Sequence, residues 1–189
     1  LRRVRLFSGL GDAQLQQGRF EQASVSYEAG IRAARLGVRS ASPEVKHLRT
    51  GLACSIARRS VPASAESLFG QLLAASERAT GFVHGDVATI LDHWIEYRGM
   101  TGRLSECEEM SERLVGTLER VYGSDHPEVA DALSRYASIL YDNGELQRAF
   151  PPLQRAFAIR RSAFGNKHPI TKRARRNLGV LQDELKAKK

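Results

Sequence analysis

The feature that most constrains this chain is an internal repeat with a period of 42 residues. When the sequence is shifted by that length, residues of the same kind coincide without gaps. The sets that share a column contain glycine, histidine or a small residue: Gly81, Gly123 and Gly165; His84, His126 and His168; Ala23, Ala65, Cys107 and Ala149. A repeat of this length is one supersecondary unit, and it must stack on its neighbours to bury its apolar side.

Each unit is predicted to contain two helices. The first begins after a His-Pro pair, because proline suits the first helical turn, and it ends at a glycine such as Gly102 or Gly144. The second is expected to start near Phe20, Pro62, Leu104 and Leu146. Two apolar columns four residues apart should place one face of each first helix in the core: Leu6, Leu48, Ile90, Ala132 and Ala174; Leu10, Leu52, Trp94, Tyr136 and Leu178.

These patterns predict an all-α fold, an α-solenoid of about four and a half helical hairpins. We expect a single domain over residues 1–189, and no linker rich in proline, glycine or serine interrupts it. The predicted units span about 1–41, 42–83, 84–125 and 126–167, and a capping helix covers 168–189. Because residue 1 is leucine, we expect the sequence to be part of a longer chain or a processed mature form.

The repeat resembles the tetratricopeptide repeat, in the 42-residue variety of kinesin light chains and many bacterial proteins. The stretches that carry the resemblance are 122–133, 144–149 and 164–169, with the sequences YGSDHPEVADAL, GELQRA and FGNKHP. The resemblance implies a peptide or protein partner in the concave groove that the first helices line. Some kinesin light chains use asparagines just before a Leu-Gly or Leu-Ala pair, and here only Asn177 has that place.

Helical periodicity selects the groove candidates on the first helices, and they are Arg5, Asp12, Thr50, Asp92, His93, Glu96, Asp131, Arg135, Arg173, Arg176 and Asn177. Acidic residues dominate the middle units, whereas the last unit is basic. The set therefore predicts an extended partner with basic residues toward the middle and acidic residues toward the C-terminal end.

No catalytic constellation is visible. There is no glycine-rich phosphate loop with its lysine, no nucleophile elbow and no set of cysteines at zinc spacing. The three repeat histidines are a unit apart and are interpreted as turn residues that pack or cap, while Cys107 is interpreted as a small buried residue. We therefore predict a non-catalytic interaction scaffold, with no cofactor and no metal site.

The charge distribution leaves an alternative function open. Net charge is +6 over residues 1–83, −7 over 84–151 and +9 over 152–189. The basic C-terminal helix could serve a peripheral protein of a ribonucleoprotein, although the acidic middle and the lack of aromatic residues within the basic run disfavour this. A regulatory sensor that closes on a small ligand is a third hypothesis.

The cellular setting is predicted only in outline. No apolar stretch is long enough to span a bilayer, so we expect no membrane insertion. Two cysteines do not need a disulfide framework, and this favours a reducing intracellular compartment, the cytoplasm ahead of an organelle matrix. The oligomeric state is left undetermined.

Overall fold

A computed structural model describes residues 2–34, 43–58 and 62–187 of the chain. Contacts between Cα atoms divide it into two compact units, Leu1–Phe82 and Val83–Lys189. Each unit is described separately.

Within the described ranges the secondary structure is helical, with no strand. In unit 1 the helices are α1 (Arg2–Gln16), α2 (Phe20–Ala34), α3 (Pro43–Arg58) and α4 (Pro62–Thr80). In unit 2 they are α5 (Gly85–Met100), α6 (Glu108–Tyr122), preceded by a 3₁₀ turn at Leu104–Cys107, α7 (Pro127–Asp142), α8 (Leu146–Phe164) and α9 (Pro169–Ala187). Consecutive helices pack against each other within each unit. The predicted all-α fold is confirmed.

The helices start where the repeat predicts. Phe20, Pro62 and Leu146 are the first residues of α2, α4 and α8, and Leu104 opens the 3₁₀ turn before α6. The turn glycines end the helices because they adopt the left-handed conformation that other residues avoid; for example, φ is 93° at Gly123 and 78° at Gly165.

The repeat histidines are N-caps. Nδ1 of His84, His126 and His168 accepts a hydrogen bond from the backbone N–H two residues later, at 3.2, 3.2 and 3.3 Å. These bonds satisfy N–H groups that lack a partner within the helix. The rings of His126 and His168 also stack on Tyr122 and Phe164 with centroid distances of 4.8 and 5.0 Å. The interpretation of these histidines as capping and packing residues is confirmed.

The small-residue column of the repeat is buried. Its four members have 0% exposure, and they are Ala23, Ala65, Cys107 and Ala149. Both cysteines of the chain are free thiols, and Cys54 is also buried. A second helix can approach its first helix closely only where a small residue stands at this column.

The packing of α1 differs from the prediction. Leu48 is fully buried and lies against Gly30 of α2, the second helix of the preceding repeat. Leu6 and Leu10 are 67% and 47% exposed. The physical reason is that no helix precedes α1 in the described residues to cover this column. The prediction that Leu6 and Leu10 pack in the core is therefore wrong.

Candidate functional site

The first helices of unit 2 form two grooves that share α7. The groove between α5 and α7 has a volume of about 210 Å³, and the groove between α7 and α9 has a volume of about 380 Å³. On α7, Asp131 and Arg135 face the first groove, whereas Ser138 and Tyr141 face the second. Three of the predicted residues therefore line the first groove: Asp131 and Arg135, together with Asp92 of α5.

An ion pair crosses the floor of the α5–α7 groove. Nε and Nη2 of Arg135 lie 2.9 and 3.1 Å from the two carboxylate oxygens of Asp92. Nη2 donates a hydrogen bond to Asp92, whereas Nε is buried and makes only the close ionic contact. Burial raises the pKa of Asp92, and Arg135 opposes that shift. The pair links α5 to α7, and it neutralises the Asp92 charge that was expected to bind a partner.

A second ion pair lies at the edge of the same groove. Nη2 of Arg160, from α8, is 2.5 Å from Asp131, and Nη1 donates to the Ser134 hydroxyl at 2.9 Å. The Arg160 side chain is 9% exposed, whereas that of Asp131 is 62% exposed. Sequence reasoning missed Arg160. The available signal was an arginine in the repeat column that elsewhere has Ser76 and Leu118.

The α7–α9 groove has an apolar floor and a polar rim. Its floor is made of Ala137, Leu153 and Leu181, which are buried. Val180 is 52% exposed, and the hydroxyl of Tyr141 donates to Glu184 of α9 at 2.6 Å. An exposed apolar side chain beside a fixed tyrosine is a surface on which another apolar group can be buried.

The predicted residues of α9 divide between groove and surface. Asn177 lines the α7–α9 groove. Arg173 and Arg176 lie four residues and one residue before it and are exposed, and neither has an ion-pair partner among residues 2–34, 43–58 and 62–187. The positive charge expected at the C-terminal end is therefore available to a partner, unlike the negative charge of Asp92.

His93 and Glu96 form a pair on the surface of α5. Nδ1 of His93 lies 3.7 Å from Glu96 Oε2, and the two residues are three positions apart in the sequence. Neither residue lines the two grooves of unit 2. In the part of the chain that the structure describes, no three histidine, cysteine, aspartate or glutamate side chains are grouped as metal ligands.

In unit 1 the predicted residues serve the packing of α1 on α3. Arg5 contacts Glu44 at 3.3 Å. Asp12 accepts a 2.8 Å hydrogen bond from the hydroxyl of Tyr27 and lies 3.0 Å from Nε2 of His47. Burial and the bond to Asp12 raise the pKa of Tyr27.

Thr50 is the buried member of the predicted groove set. It is 8% exposed, because its stretch of α3 is buried on both sides. Burial removes the Thr50 side chain from the surface that a ligand can reach, so the structure does not support its place in the groove set.

The paired helices and the grooves along their first members define a helical-repeat protein of the solenoid class. The tetratricopeptide-repeat model matches residues 86–162 and 128–189, which together cover more than half of the sequence. The chain therefore belongs to the tetratricopeptide-repeat family. No match is found among curated proteins.

Two solved structures share the fold. One is a kinesin light chain-like protein of Podosopora anserina with nearly identical TPR-like repeats, at 20% identity and a TM-score of 0.80, covering 96% of this chain and 86% of that one. The other is BtubC (BKLC) from P. vanneervenii, at 21% identity and a TM-score of 0.81, covering 95% of this chain and 72% of that one. At these identities the likeness establishes the fold and leaves the ligand open.

None of the helices in the described residues combines the length and the apolar character needed to cross a bilayer.

Proposed function

We propose that this protein is a non-catalytic interaction scaffold that holds an extended segment of a partner protein along α5, α7 and α9. The observation that carries the proposal is a pair of grooves that share α7, one lined by charged residues and one with an apolar floor. Proteins of this repeat family generally serve as protein-interaction scaffolds, and the two grooves support that role for this chain.

The partner segment should match the charge and polarity of the two grooves. In the α5–α7 groove, the Glu128 carboxylate is exposed, and the Asp131 side chain stays 62% exposed although it pairs with Arg160, so this groove suits a basic side chain. In the α7–α9 groove, the floor and Val180 suit an apolar side chain. Arg173 and Arg176 then lie where an acidic residue of the segment would reach them.

A displayed library of random peptides tests the proposal. We expect selection on this protein to enrich peptides that combine a basic residue with an apolar one. Their binding should be lost when Ser138→Trp fills the α7–α9 groove, because Ser138 is exposed at its lining. The matched control is Gln147→Trp, which adds the same bulk at an exposed position of α8 outside the groove.

The comparison of wild type and Ser138→Trp tells whether the selected peptides bind in the groove or on another surface. Peptides that bind the wild type and Ser138→Trp equally well would place the binding site elsewhere and contradict the proposal. A second variant tests the charge of the groove: Glu128→Lys should weaken the binding of peptides with a basic residue and leave the binding of purely apolar peptides unchanged.

A further inference from the structure

Four cations surround the turn between α8 and α9. They are exposed, and none has a carboxylate within ion-pairing distance among the described residues of the chain: Arg161, Lys167, Lys172 and Arg175. Arg175 donates to the neutral amide oxygen of Asn166 at 2.7 Å. We call these four residues the α8–α9 basic surface. No carboxylate of the described residues balances this charge, so the charge is available to counterions or to an anionic ligand.

The fold does not require this charge. The preceding repeat builds the same turn, with a glycine of positive φ and a stacked, capping histidine, from residues of opposite charge. Glu119 and Asp125 stand at the positions of Arg161 and Lys167. Lys167 and Lys172 moreover lie at the start of α9, where the helix dipole disfavours cations. Because the turn forms with either sign of charge, the basic set points to a ligand rather than to folding.

Aromatic rings lie within the same surface. Guanidinium carbons of Arg161 and Arg175 are 5.7 and 5.6 Å from the centroid of the Phe157 ring. Phe164 is 41% exposed and stacks on His168. Both phenylalanines belong to α8, and so the sequence of α9 alone gave no sign of aromatic residues beside the basic run.

From this juxtaposition we propose that the α8–α9 basic surface binds single-stranded nucleic acid. The four cations neutralise phosphates and release their counterions, while a base stacks on the exposed ring of Phe164. Arginine held over an aromatic ring presents a planar donor for phosphate oxygens. An acidic protein segment would use the cations but would gain little from Phe164, so the combination favours nucleic acid. This activity does not depend on the proposed groove function.

The direct test is fluorescence anisotropy of a labelled oligouridylate of about 12 nucleotides, titrated with the full chain. Salt is varied from about 50 to about 200 mM. With about four phosphates neutralised, the slope of log affinity against log salt should be about −3. A labelled polyglutamate of equal charge serves as the probe for the acidic-protein alternative.

Two pairs of variants locate the surface. Lys167→Glu combined with Lys172→Glu should weaken oligouridylate binding about tenfold or more, because two phosphate contacts become repulsive. The matched control is Arg2→Glu combined with Arg3→Glu, which makes the same charge change at exposed positions of α1. Phe164→Ala should weaken binding about fivefold or more, whereas Tyr122→Ala removes the equivalent ring from the acidic turn and should have no effect.

Circular dichroism of each variant verifies that the helices persist. Absence of oligouridylate binding at low salt would overturn the proposal, as would equal losses in the Arg2 and Arg3 control. Equal binding of polyglutamate, with no dependence on Phe164, would assign the surface to an acidic protein segment and overturn the nucleic-acid proposal as well.

Discussion

The packing of Tyr27 between two glycines yields a quantitative prediction for Gly51→Ala. A methyl group at Gly51 would lie 2.4 Å from Cζ and 2.5 Å from Cε1 of Tyr27. Ordinary carbon–carbon contacts lie at about 3.5–4.0 Å. The ring cannot move away, because it is fully buried, its hydroxyl is bonded to Asp12, and a Cβ built on Gly11 would lie as close as 2.6 Å.

Two opposing effects determine how much Gly51→Ala changes the free energy of unfolding. Overpacking a well-packed core costs about 1–3 kcal/mol, while replacing glycine by alanine inside a helix contributes about 1 kcal/mol of stability. Because three atoms of Tyr27 lie within 2.8 Å of the added methyl, the overpacking cost falls in the upper part of its range. We expect Gly51→Ala to reduce the free energy of unfolding of unit 1 by about 1–2 kcal/mol.

The control is Gly9→Ala in the same unit. A Cβ at Gly9 meets no atom within 4 Å, so only the helix propensity changes, and we expect unit 1 to gain about 0.5–1 kcal/mol. Hydrogen exchange measured by mass spectrometry on peptides from α1, α2 and α3 reads the stability of this unit directly.

A double-mutant cycle assigns the cause. In a Tyr27→Leu background, the cost of Gly51→Ala should disappear, because the smaller side chain leaves room for the methyl. If Gly51→Ala instead stabilises unit 1 as much as Gly9→Ala does, the inference that Tyr27 fills the space beside Gly51 is refuted.

Three further predictions concern unit 2. Ala149→Leu should lower the free energy of unfolding of this unit by about 1–3 kcal/mol, measured by urea denaturation followed by Trp94 fluorescence. Gln147→Leu, on the exposed face of α8, should change that free energy by less than about 0.5 kcal/mol. An unchanged free energy of unfolding in Ala149→Leu would contradict the burial of this column. His126→Ala should lower the free energy of unfolding by about 0.5–2 kcal/mol in thermal unfolding. His126→Asn should restore most of that stability, since asparagine also caps helices, and equal losses in both variants would exclude the capping role. Burial raises the pKa of Asp92, so its folded form binds a proton more tightly than its unfolded form. The wild type should therefore gain stability relative to Asp92→Asn as pH falls from that raised pKa to about 4. A loss of stability of the wild type relative to Asp92→Asn over the same pH range would refute the argument.

The local features of this fold could be predicted from the sequence. Helix starts at Phe20, Pro62 and Leu146, the capping histidines and the buried column of Ala23 and Ala149 were all predicted before the structure. They depend on neighbours within a few residues or on an exact repeat, and the sequence displays both. The fold class follows from them because a hairpin unit has no stable arrangement except a stack.

The groove charges could be predicted only in part. Sequence position placed Asp92, Asp131 and Arg135 on the groove side, and they do line one groove. It could not show that Arg135 pairs with Asp92, or that Arg160 reaches Asp131 from another helix. The ion-pair partner of a long side chain depends on the distances between helices, and the periodicity of the sequence does not encode those distances.

The repeat pattern, the helix boundaries, the caps and the family were thus determined by the sequence alone, because each rests on local backbone chemistry repeated at a fixed interval. The tertiary structure decided which residues lose contact with water, as the exposure of Leu6 and the burial of Thr50 demonstrate. It also decided which charges are neutralised and which lie beside aromatic rings, as with Arg175 and Phe157. Burial and charge pairing are properties of neighbouring helices, and they exist only once the helices have packed.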